Sequence, residues 1–128
     1  MPTELLDVPT ALADARSRYL EHLEFERGLS AHTVRAYATD LESLLVHAAR
    51  LDRGQVDEID LTVLRSWLAK QRSMGASRAT LARRASAARM FTAWAVRDGL
   101  AVEDAGARLA SPRAERRRRE DRRRPHDD

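Results

Sequence analysis

Apolar positions recur at helical spacing along most of this chain, and no run alternates for long enough to specify a strand. The clearest stripe is Tyr37, Leu41, Leu44, Leu45 and Ala48, which lie one above another on a single helix face. It predicts a helix that follows Ser30, a good N-capping residue, and ends before Gly54. An earlier helix is expected from about Thr10 to Arg27, burying Leu12, Tyr19, Leu20 and Leu23 and stopping at Gly28. A third takes Asp60 as N-cap, with Ile59 placed to staple against Leu64, buries Leu64, Trp67 and Leu68, and ends at Gly75. The fourth is capped by Ser77 and runs to Asp98. Leu81, Ala85, Ala88, Phe91 and Ala95 share one of its faces, with Arg83 nearly opposite and Arg84 also off that face. A short fifth helix from about Asp104 to Leu109 is expected to close at Ser111-Pro112.

The pattern describes an all-α domain over residues 10–112, between a flexible N-terminus (1–9) and a tail (113–128) of Arg, Asp and Glu. No core face can be drawn on that tail, so it reads as disordered. With 128 residues, there is chain enough for one modest core.

Charge sharpens the picture. Between Thr62 and Arg97 stand eight bases and no acid: Arg65, Lys70, Arg72, Arg78, Arg83, Arg84, Arg89 and Arg97. Residues 1–61 hold six bases against twelve acids. The overall charge of +3 comes entirely from residues 112–128, so the signal lies in distribution and not in the total. A segregated positive half is the electrostatic footprint of a nucleic-acid binder. Arg65, Lys70 and Arg72 serve equally well as solvated helix surface. Arg89 and Arg97, toward a helix end, can simply offset the dipole there.

Other classes are disfavoured. There is no cysteine, and His22, His32, His47 and His126 show no paired ligand spacing, so neither a disulfide framework nor a metal site is expected. No apolar run approaches a bilayer span, and the first ten residues lack the features of a signal peptide. A soluble cytoplasmic protein with no cofactor, no small-molecule substrate and no membrane partner is the expectation.

Two segments carry a closer likeness. One is Glu26-Arg27-Gly28-Leu29-Ser30-Ala31-His32-Thr33-Val34-Arg35-Ala36-Tyr37, followed by Asp40-Leu41; the other runs from Met74-Gly75-Ala76-Ser77 through Thr80-Leu81-Ala82-Arg83-Arg84-Ala85-Ser86-Ala87-Ala88-Arg89-Met90-Phe91 to Trp94. Together they resemble the N-terminal core-binding domain of XerC/XerD-type tyrosine recombinases, the superfamily of Cre and the phage integrases. The likeness covers roughly residues 10–112.

It implies a SAM-like orthogonal bundle of four helices plus a short fifth, forming one half of a clamp around double-stranded DNA. In that family the starts of the second and fourth helices face the major groove and nearby phosphates. Carried onto this sequence, the DNA-binding residues are Ser30, His32, Thr33 and Arg35 on the second helix and Ser77, Arg78, Thr80, Arg83 and Arg84 on the fourth. Helix N-termini offer free N–H groups to phosphate, and arginine can bridge phosphates or fork onto guanine. Ser30 and Ser77 are caps first and phosphate contacts second. Tyr37, Trp67, Phe91 and Trp94 belong with the core.

The resemblance also implies what to look for and not find. Family members cleave DNA with a tyrosine hydroxyl assisted by arginines, a lysine and a histidine or tryptophan, held in a C-terminal domain. Only Tyr19 and Tyr37 are present, both at core positions, so no catalysis is expected of this chain. Asp104-Ala105 replaces the family's usual Asn-Pro, and residues 113–128 do not resemble its linker. Two expectations follow: a truncated or frame-shifted recombinase, or a short DNA-binding protein that regulates or pairs with an intact XerC/XerD-type recombinase.

Overall fold

The computed structural model describes residues 8–109. The expected tail, the Ser111-Pro112 stop and most of the expected flexible N-terminus lie outside that range. Among the described residues four α-helices carry the fold: α1 (Thr10–Glu21), α2 (Ala31–Arg50), α3 (Leu61–Ser73) and α4 (Arg78–Arg97). No strand occurs among the described residues.

Helix starts follow local chemistry. Ser30, Asp60 and Ser77 sit in extended backbone, and each side chain accepts a bond from the amide of the residue three further on. Those bonds satisfy N–H groups that the first turn leaves open. α2 and α4 enter through the same device. Gly28 and Gly75 adopt φ of 61° and 91°, where a Cβ is disfavoured, and two residues later the capping serine begins the next helix. The sequence Gly-x-Ser-x-x-Thr thus occurs twice, at 28–33 and 75–80, and both helices run for 20 residues.

Three local features depart from expectation. The first helix does not continue to Arg27 in α geometry; it passes at His22 into a π turn, His22–Glu26. This wider turn keeps Leu23 in the core while Phe25 stands 76% exposed. A 3-10 turn at Val56–Glu58 precedes α3, held by a reciprocal cap between Gln55 and Glu58. The expected fifth helix is a single 3-10 turn, Ala105–Arg108. Its anchor is polar: the Thr92 hydroxyl donates to Asp104 Oδ1 at 2.7 Å, and the Gly106 amide donates to both side chains at 3.1 Å. Packing also begins earlier than Thr10, since Val8 is buried.

The core fills the space between all four helices. Leu12, Tyr19 and Leu23 meet Leu41, Leu44 and Leu45, then Val63, Leu64 and Trp67, then Ala85, Ala88, Phe91 and Ala95. Small alanines on α4 let its neighbours approach closely, while Tyr19, Phe91 and Trp94 supply bulk. The Tyr19 and Phe91 rings meet edge-on with centroids 5.3 Å apart. Leu20, Tyr37 and Leu68, expected inside, are only partly buried at the core's margin. Trp67 is the largest fully buried side chain, and its indole N–H donates to Ser43 Oγ at 3.0 Å. Trp67→Ala should therefore destabilise the domain by roughly 3–5 kcal/mol in chemical denaturation, as a large cavity with a lost hydrogen bond. A loss below about 1 kcal/mol would mean that this helix is not packed as described.

Candidate DNA-binding face

The expected residues fall into three groups. At the start of α2, Ser30, His32 and Arg35 are exposed and Thr33 is half-buried. Ser30 Oγ accepts from the Thr33 amide at 3.2 Å and donates to Thr33 Oγ1 at 3.0 Å. At the start of α4, Ser77 and Arg78 are exposed and Thr80 is half-buried, with the same paired contacts from Ser77 at 3.1 and 3.0 Å. Each start therefore presents hydroxyls, open amides and an exposed arginine within its first two turns. Neither has a carboxylate in its first turn.

The third group is Arg83 and Arg84, and its placement differs from the sequence reading. Asp40 of α2 is 1% exposed, yet it carries a charge among apolar neighbours. Arg83 closes on it side-on: Nε donates to Oδ2 at 3.1 Å and Nη2 to Oδ1 at 2.9 Å. Arg84 Nε lies 3.4 Å from Oδ1, an ion pair without hydrogen-bond alignment. Arg84 Nη1 donates to Ser43 Oγ at 3.2 Å and to Gln71 Oε1. Ser43 also accepts from Trp67, so this polar joint ties α2, α3 and α4 together.

Burial separates the two arginines. The Arg84 side chain is 16% exposed and that of Arg83 is 51%. Arg84 was expected off the apolar face, but it lies three residues after Leu81 and four before Ala88, at the inward margin of that face. It acts within the fold, through the Nη1 bonds to Ser43 and Gln71 and the ion pair with Asp40. Arg83 keeps its outer edge in solvent. Hydrogen bonding to Asp40, and then the charge of Asp40, raise the Arg83 pKa further, so it stays cationic.

Asp40 stands in the family-like motif of the sequence, but no role was read for it there. Its signal was present, because it lies three residues after Tyr37 and four before Leu44, on the apolar stripe itself. A charge at such a position needs a buried partner. The helix starts flank this joint. Ser30 stands about 15 Å along α2 from Asp40, and Ser77 about 9 Å along α4 from Arg83, at the usual helical rise. Contacts run from Tyr37–Met90 to Asp40–Arg83, so α2 and α4 cross in opposite chain directions. The two starts consequently lie to either side of the crossing and are not one cluster.

The remaining bases sort by partner. Arg89 turns inward, donating to the Leu109 carbonyl at 3.4 Å. Arg65, Lys70, Arg72, Arg78 and Arg97 are exposed. Among the described residues no group of His, Asp and Glu could hold a metal ion, and no helix is long and apolar enough to cross a membrane.

With this architecture in place, comparison with known proteins is decisive. The family described as "Phage integrase, N-terminal SAM-like domain" matches residues 17–99. The chain belongs to that family. The SAM-like domain is also similar to curated tyrosine recombinases XerC: 54% identical over 97 residues to that of Mycobacterium tuberculosis, 53% to that of Mycobacterium leprae and 47% to that of Mycobacterium sp. strain KMS. Each alignment covers 75% of this chain and 32% of the relative, so the chain spans about a third of the length of the curated relatives it matches. No solved structure matches.

One titration tests how tightly the SAM-like domain holds its second and third helices together. His47 Nε2 lies 2.7 Å from Ser66 Oγ. Burial first, then the charges of Lys70 and Arg50, lower the His47 pKa below 6.5. The neutral ring is favoured by folding, so stability is fully present above pH 6.5 and falls as pH drops through the folded-state pKa. Denaturation midpoints should decline with acidification over that window, and His47→Gln should flatten part of the decline. An unchanged slope in His47→Gln would assign the acid sensitivity to other groups.

Proposed function

We propose that this chain binds double-stranded DNA as the core-binding half of a site-specific tyrosine recombinase clamp, without itself cleaving the strand. The observation that carries this reading is the pair of matched helix starts, each with hydroxyls, open amides and an exposed arginine, beside a helical surface free of acids from Thr62 to Arg97. Phosphate oxygens suit such starts, and the helices between them suit the major groove.

The hydroxyls available for strand cleavage support a binding role. Tyr19 is 2% exposed, and burial pushes its pKa up to about 12. Tyr37 is half-buried and directs its hydroxyl at Met90 Sδ, 3.5 Å away. Neither can reach a phosphodiester on the outside of the domain. On this reading, strand cleavage is the work of residues outside the SAM-like domain. An intact recombinase of that type is the natural partner on a shared DNA site.

A salt titration of the full chain on duplex DNA tests the assignment. The logarithm of affinity should fall linearly with the logarithm of salt, by about 0.9 for each phosphate neutralised. Arg35→Ala and Arg78→Ala should each weaken binding and reduce that slope by roughly one contact. Arg53→Ala, in the loop before α3 and 3.9 Å from Asp60, should change neither. Equal losses from all three would indicate diffuse charge attraction and no docked face.

A further inference from the structure

Among the exposed cations of the described residues, Arg83 is the one held by a buried carboxylate. Asp40 occupies Nε and one hydrogen of Nη2, the side edge of the guanidinium. The end edge, Nη1 and the second hydrogen of Nη2, has no hydrogen-bond partner among the described residues, and the side chain as a whole is 51% exposed. Two parallel N–H donors thus face outward from the second turn of α4. They are fixed in plane by an acceptor that cannot move, because Asp40 is inside the core.

That geometry matches one class of ligand edge. Guanine presents O6 and N7 side by side in the major groove, and the guanidinium fork meets them with two parallel hydrogen bonds. A phosphate can accept the same fork, but phosphate contact makes no demand on orientation that a freely rotating arginine fails to meet. Arg35, Arg65, Arg72 and Arg78 are of that free kind. Holding a guanidinium rigid in advance reduces the entropy lost on docking and penalises every base that lacks the paired acceptors. The site also lies where a recognition helix meets base edges, in its N-terminal turns.

Resting on the DNA-binding reading above, we propose that Arg83 reads a guanine in the major groove of duplex DNA, and that Asp40 is the positioning residue that aims it. Arg84 completes the arrangement by keeping the joint cationic: one carboxylate faces two guanidiniums, so the charge of Arg83 is not cancelled toward the DNA. The chemistry specifies a base and not a site, since a single fork recognises a single guanine.

The test uses the full chain and a pool of duplexes with a randomised centre, from which bound molecules are recovered and sequenced. The chain should enrich guanine at one position. Arg83→Lys keeps the charge and loses the fork, so that preference should disappear while preferences at other positions persist. On the selected duplex, Arg83→Lys should bind roughly 5- to 150-fold more weakly, with little change on a duplex lacking that guanine. Asp40→Asn, where circular dichroism shows it folded, should lose the same preference although Arg83 is intact, which a merely stabilising role would not produce. If Asp40→Asn does not fold, Arg83→Lys decides alone.

Three results overturn the proposal. One is selection of the same sequences by Arg83→Lys and the unaltered chain. Another is an Arg83→Ala variant that weakens all duplexes equally and lowers the salt slope by about 0.9, the mark of a phosphate contact. The third is selection without any guanine preference by a chain that does bind duplex. Failure of the unaltered chain to bind any duplex would instead remove the DNA-binding reading itself, and this proposal with it.

Discussion

A single buried carboxylate governs how the helices of this domain meet. Asp40 lies on the apolar stripe of α2, where an unpaired charge would cost several kcal/mol. The fold answers with two adjacent arginines from α4, and Arg84 extends the network through Ser43 and Gln71 to α2 and α3. Apolar packing around Trp67, Phe91 and the leucines supplies most of the stabilisation, but it does not specify rotation or register. The polar joint does, because its partners lose their bonds if either helix turns or slides.

Function follows from what that constraint leaves outside. With α2 and α4 pinned at Asp40, their capped starts project to either side of the crossing at distances set by the helical rise. Each start is chemically the same device, a left-handed glycine followed by a serine cap and a threonine, so the domain presents two similar helix starts on one frame. The same frame is that of a member of the phage integrase SAM-like family, similar over these helices to XerC recombinases.

Much of this was legible in the residues. All four helices, the serine and aspartate caps of α2, α3 and α4 and the glycine stops of α3 and α4 follow from periodicity and capping chemistry, whereas α2 ends at Arg50 with Asp52 and not Gly54 in the left-handed conformation. The π turn at His22–Glu26 was not legible, because it depends on Leu23 reaching the core and not on local preference. The roles of Arg83 and Arg84 were only half legible. Both were found by charge, yet their division into a half-exposed side chain and an inward brace depends on Asp40, a partner 43 residues away from Arg83. A carboxylate on an apolar stripe was the available clue, and its weight becomes clear only when the opposing helix is in place.

The central claim is that Asp40 and Arg83 act as a coupled pair that sets α2 against α4. A double-mutant cycle measures this most directly, comparing the unfolding free energies of Asp40→Asn, Arg83→Gln and the double variant in urea. Coupling of at least about 1 kcal/mol is predicted, as expected for contacting residues in one buried network. Single-variant losses that add to within about 0.3–0.5 kcal/mol would show the two side chains to be independent, and would contradict the account.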